Sequence, residues 1–185
     1  MDNSSGVLVL VHDVQVHPWI YRLCDALRES GSTVSVYAHD NRAGFQEKID
    51  SVRNAYTALA AQTGRVGVIG LGMANVFSLM LAEQYNVEML ICIDPELPVS
   101  NGFSMLTHLT VNNLFAIVVP VLLIGLDARK TVDTCIRKIC EGSSSSMCTV
   151  KQCLEISGKT AQIDEIINVV ITYRNGITNV KLLAK

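Results

Sequence analysis

Aromatic side chains are scarce in this sequence. Phe, Trp and Tyr make up 5% of its 185 residues, and Trp19 is the single tryptophan. Histidine is scarcer still, with four residues and none beyond His108, so the last third of the chain cannot supply an imidazole base. Charge is thin, 17% of residues, and nearly balanced at a formal net −2. No basic stripe suggests a nucleic-acid partner, and no acidic tail suggests a charged one. No run is long enough to span a membrane: the longest apolar stretch, Leu114 to Leu126, is too short and contains Pro120 and Gly125. Met1 to Ser5 is polar and lacks the basic start of a secretory signal. The expected location is therefore intracellular and cytoplasmic, with an organelle left open because a cleaved presequence would be missing here.

What is abundant is aliphatic. Hydrophobic residues are 49% of the chain, which with few aromatics suits a Val/Ile/Leu-rich buried sheet. The length fits one domain spanning 1–185. Strand and helix signals alternate. Gly6 to Val11, Thr33 to Ala38, Val66 to Ile69, Val87 to Ile93, a stretch from near Val119 to Ile124, and Cys148 to Ile156 read as strands. Pro18 to Ser30, Ala43 to Gln62, Met73 to Gln84, Thr131 to Cys140 and Thr160 to Tyr173 read as helices, the last stopped at Asn175-Gly176. Asn101 to Asn113 is ambiguous. Repeated strand–helix units imply an α/β fold: a three-layer α/β/α sandwich with a six-stranded, mostly parallel sheet. Ligands of such sheets bind at the carboxyl ends of the strands.

The six cysteines, Cys24, Cys92, Cys135, Cys140, Cys148 and Cys153, read as free thiols in a reducing compartment. The spacing C-x4-C-x7-C-x4-C of the last four matches no zinc module, so no metal is expected.

Three segments resemble the core of an α/β-hydrolase, specifically the dienelactone hydrolase group. Val7 to Leu27 (VLVLVHDVQVHPWIYRLCDAL) is similar to the first core strand, loop and helix. Arg65 to Ala82 (RVGVIGLGMANVFSLMLA) is similar to the nucleophile-elbow segment, and Val119 to Val132 (VPVLLIGLDARKTV) to the strand and turn that deliver the triad acid. The resemblance implies a minimal hydrolase core without the first antiparallel hairpin and without a cap.

That resemblance also implies where a triad would stand. A hydrolase elbow has the form G-x-nucleophile-x-G. Here it reads Gly70-Leu71-Gly72-Met73-Ala74, so the nucleophile position is Gly72, which has no side chain. The acid position falls to Asp127, one residue short of the usual spacing, with Asp94 a second candidate. The base position, in Ile156-Ser157-Gly158-Lys159-Thr160, holds Lys159 instead of histidine. With nucleophile and imidazole both missing, the triad mechanism is closed, and no catalytic residue is assigned.

His12, Asp13, His39, Leu71, Met73 and Asp94 are the candidate pocket residues, since they follow neighbouring strands. The expectation is a catalytically silent α/β-hydrolase-like protein acting as a binding module, scaffold or assembly subunit, with a protein partner or a second copy as partner and no cofactor. One alternative is a small-molecule binder or residual hydrolase using the pocket above Gly72. The other is a dinucleotide-binding oxidoreductase using Gly70-x-Gly72, for which Asp94 lies where a ribose-binding acid belongs. Asn75 in place of the third glycine, and a motif following the third strand instead of the first, count against that alternative.

Overall fold

A computed structural model describes residues 5–12, 19–39, 42–94, 119–125, 153–155 and 161–183. The strands are β1 (Gly6–Val11), β2 (Thr33–Ala38), β3 (Val66–Leu71), β4 (Leu90–Ile93), β5 (Val121–Gly125) and the three-residue β6 (Cys153–Glu155). The helices are α1 (Ile20–Glu29), α2 (Phe45–Thr63), α3 (Asn75–Gln84) and α4 (Ala161–Leu183), with one 3₁₀ turn at Gly72–Ala74. The sheet order is β2-β1-β3-β4-β5-β6, and every pairing is parallel. The parallel α/β sheet expected from the sequence is thus present.

The pleat explains how one strand feeds two cores. Alternate side chains leave a strand on opposite faces. Leu8 and Leu10 of β1 join Val66 and Val68 of β3 under α2 and α3. Val7, Val9 and Val11 join Ile69 and Leu71 under α1 and α4. All six residues of β1 are buried, the signature of a central parallel strand covered on both faces.

Several element ends differ from the sequence expectation. β3 runs on to Leu71, so Gly70 and Leu71 belong to the strand and not to a turn. Val87 is buried like a strand residue, but its N–H bonds locally to the Tyr85 carbonyl at 2.9 Å, and β4 begins only at Leu90. β5 likewise starts at Val121. α4 does not stop at Asn175-Gly176 but continues to Leu183. Its apolar stripe explains this: Ile166, Ile167 and Val170 are buried, and Tyr173 and Ile177 pack on the same cluster. A glycine inside a helix costs about 1 kcal/mol, less than continued packing returns. Arg174 adds to the hold, donating to the Ser30 carbonyl at 3.1 Å and Ser30 Oγ at 3.2 Å. The expected helix at Thr131–Cys140, the segment Asn101–Asn113, and Cys148 to Gln152 and Ile156 of the expected sixth strand lie outside the described residues.

Candidate functional site

The order β2-β1-β3 places a topological switch between β1 and β3. From β1 the chain first adds β2 on one side and then β3 on the other. Loops leaving the two strands diverge there, which opens a crevice at their carboxyl ends. His12 follows β1, His39 follows β2, Gly72 follows β3 and Asp94 follows β4. These four therefore share one rim of the sheet. Asp13, Asp127 and Lys159 lie outside the described residues.

Gly72 sits at the sharp exit of β3 with φ +52°. A side chain rarely adopts this left-handed backbone, whereas glycine does so freely. Among the described residues, nothing lies within 4 Å of where its Cβ would be. A left-handed turn thus ends β3, and among the described residues nothing stands over it. Met73, next in the 3₁₀ turn, is 43% exposed beside it. Leu71 is different: it is 3% exposed and its side chain belongs to the core under α1 and α4.

The elbow is fastened from below by a residue whose role the sequence did not reveal. Asn75, fully buried at the start of α3, donates its side-chain amide to the Gly72 carbonyl at 2.8 Å and to the Ile93 carbonyl at 3.1 Å. One polar side chain thus ties the turn after β3 to the end of β4. Ser78, also buried, donates to the Asn75 carbonyl at 2.9 Å. Gly70 lets α3 approach this closely, because a Cβ there would lie 2.6 Å from both Asn75 Oδ1 and Ser78 Oγ. The available signal was a polar residue at the head of a helix whose next seven residues are apolar apart from Ser78. At the third-glycine position of a dinucleotide fingerprint, Asn75 is committed to structure.

His39 is the second unusual group. Its N–H extends the β1–β2 ladder by bonding the Val11 carbonyl at 3.0 Å. Its ring is 6% exposed, and neither ring nitrogen has a hydrogen-bond partner among the described residues. Phe77 lies 4.3 Å from it, centroid to centroid, and Tyr37 meets it edge-on at 5.1 Å. Burial pushes the imidazole pKa down to about 4, and the nearby charges of Lys48 and His12 push the same way. The ring is neutral in the folded protein at ordinary pH.

Asp94 has φ +44°, which aspartate tolerates better than most residues, and its N–H bonds the Ile124 carbonyl. It is a turn residue at the rim. Among the described residues, no group of three or more His, Cys, Asp or Glu could hold a metal ion. Cys24 and Cys92 are buried and not in a disulfide with each other, and burial raises the Cys24 pKa. Neither is at the elbow. No described helix is long and apolar enough to cross a membrane.

No family model matches the chain, and no curated protein does. Solved structures do. The esterase domain of a Rhodothermus marinus protein matches over 92% of this chain and 85% of its own, at 11% identity and a TM-score of 0.66. A monoacylglycerol lipase of Paleococcus ferrophilus matches over 91% and 93%, at 12% identity and 0.64. An α/β serine hydrolase homologue from Coxiella burnetii matches over 93% and 85%, at 17% identity and 0.60.

Proposed function

We propose that this chain, which has the α/β-hydrolase fold, is catalytically silent and acts by binding, as a scaffold or assembly subunit. The observation that carries this is Gly72. The elbow that would present a nucleophile keeps its left-handed turn, with φ +52°, and presents no side chain. Acyl transfer on this fold needs an attacking oxygen or sulfur at that point and an imidazole beside it. Lys159 stands where the sequence would carry the imidazole. Ser78 is spent on a helix carbonyl, and Cys24 and Cys92 are buried in the core.

The space above Gly72, open among the described residues, favours a second form of the same reading, in which a small molecule is held at the rim and not turned over. The rim residues for it are His12, Met73 and Asp94, with Asp13 added from the sequence.

The test is hydrolysis of short-chain aryl esters and a dienelactone-type substrate by the purified chain, beside its Gly72→Ser variant. Neither should exceed a heat-denatured control, because restoring the hydroxyl does not restore the base. Hydrolysis by the unaltered chain, lost on changing Asp127 or Lys159, would overturn the proposal. A thermal-shift panel separates the two forms, since a ligand specific for the native state raises the melting temperature.

A further inference from the structure

The two edges of the sheet are unlike. β6 is three residues long, and very short edge strands are one way proteins protect an edge. β2, at the other edge, is six residues long and reads Thr33-Val34-Ser35-Val36-Tyr37-Ala38. It carries no charge, no proline and no glycine, the features that usually discourage a second strand from pairing. Among the described residues its only partner is β1.

The register shows which peptide groups are left over. Thr33 N–H bonds the Ser5 carbonyl at 3.1 Å, and His39 N–H bonds the Val11 carbonyl at 3.0 Å. Peptide groups of successive strand residues point to opposite sides. Thr33, Ser35, Tyr37 and His39 therefore face β1, and Val34, Val36 and Ala38 turn both N–H and C=O outward. These outward residues are spaced evenly about Val36. The strand can thus meet its own copy antiparallel, with Val36 opposite Val36 and Val34 opposite Ala38, each pair exchanging donor and acceptor.

The surroundings fit the same two-fold. Val34 and Val36 pack on the α1-side core and Tyr37 on the α2-side core, but all three are only half-buried. On α1, Arg22 is ion-paired with Asp164 of α4. Tyr21, Asp25 and Arg28, at i, i+4 and i+7, share another flank of α1, where Arg28 donates to Asp25 at 2.8 Å within the helix. Tyr21 is 58% exposed, one of two large hydrophobic side chains so exposed among the described residues. A two-fold normal to the sheet keeps its faces, so α1 would run antiparallel to its copy. The Asp25–Arg28 pair made within each helix would then lie against its own copy, Asp25 beside the partner's Arg28 as well as its own, an alternation of opposite charges.

From these relations we infer that the chain forms a homodimer in which β2 pairs antiparallel with β2 of a second copy about Val36, making one continuous sheet. This interface lies at the sheet edge and does not depend on whether the elbow rim binds a ligand.

The experiment is sedimentation of the full chain across a dilution series up to about 100 μM, with amide hydrogen exchange resolved by residue. A dimer is expected in which the Val34, Val36 and Ala38 amides are protected and become free on dilution, while those of Ser35 and Tyr37 stay protected throughout. Val36→Pro removes an outward N–H and spares the β1 ladder. Ala38→Lys puts a charge on an exposed edge position. Both should be monomers with unchanged circular dichroism. If Val36→Pro fails to fold, Ala38→Lys decides. A chain that stays monomeric throughout, a dimer whose three outward amides exchange as freely as in the monomer, or folded variants that still dimerise would each overturn the inference.

Discussion

Asn75 and Ile93 are joined by a side-chain-to-backbone hydrogen bond of 3.1 Å, which couples the head of α3 to the last residue of β4 across 18 positions of sequence. The same amide nitrogen reaches the Gly72 carbonyl at 2.8 Å. Both acceptors lie where the sheet ends and ladder partners run out, so a buried donor there answers a need the ladder cannot meet. The elbow geometry is thereby fixed by a residue that does not point at the rim.

Replacing that donor should be costly. Asn75→Ala removes both bonds and leaves buried carbonyls to find other partners, a loss of about 1–3 kcal/mol. Asn75→Asp should cost more, because a buried carboxylate would face two carbonyl oxygens with no proton to offer. Urea unfolding reads both, with the midpoint falling and the slope unchanged. An Asn75→Asp variant as stable as Asn75→Ala would mean that the side chain rearranges and the bridge is not the reason for asparagine.

Two glycines of the elbow should respond differently to the same methyl group. At Gly70 a Cβ would lie 2.6 Å from Asn75 Oδ1 and Ser78 Oγ and 3.0 Å from Asn75 Cα. Gly70→Ala must therefore push α3 off the sheet, at about 1–3 kcal/mol for overpacking. At Gly72 no described residue would meet the methyl group, and the expected cost is backbone strain at φ +52°, about 1–2 kcal/mol. The distinguishing readout is structural. Gly70→Ala should speed hydrogen exchange along α3, whereas Gly72→Ala should leave α3 exchange unchanged. Loosening of α3 in both would show that the elbow conformation, and not the approach of the helix, sets the packing.

The layered fold was legible because β-branched and leucine runs separated by amphipathic stretches admit few other arrangements. That His12, His39, Gly72 and Asp94 share one rim followed from element order, since each comes directly after a parallel strand, whereas the switch point between β1 and β3 is set by the strand pairings. Leu71 did not follow. β3 continues two residues further than its turn signal suggested, and the pleat then sends Leu71 to the same face as Ile69, into the core. Gly176 misled in the other direction, since a local stop signal lost to a stripe that extends through Ile177. The part played by Asn75 was not legible, because it depends on a carbonyl 18 residues away that only the β3–β4 register brings near.

His39 should give the stability of this protein a pH dependence. Its folded pKa is about 4 against 6.5 for a free imidazole. The unfolded chain therefore binds a proton between those values that the folded chain refuses. Stability is fully present above pH 6.5, falls as the pH drops toward about 4, and levels off below. The cause is desolvation, with Lys48 and His12 adding repulsion and Tyr37 and Phe77 offering only ring surfaces. His39→Phe keeps the ring and removes two unsatisfied nitrogens, so it should leave stability at neutral pH unchanged or raised by about 1 kcal/mol. It should also flatten the slope in that window. Unfolding midpoints for both proteins at intervals from pH 7 down to 4 provide the check. Equal slopes would assign the acid sensitivity to other groups, and a destabilised His39→Phe at neutral pH would mean the imidazole finds a partner in solution.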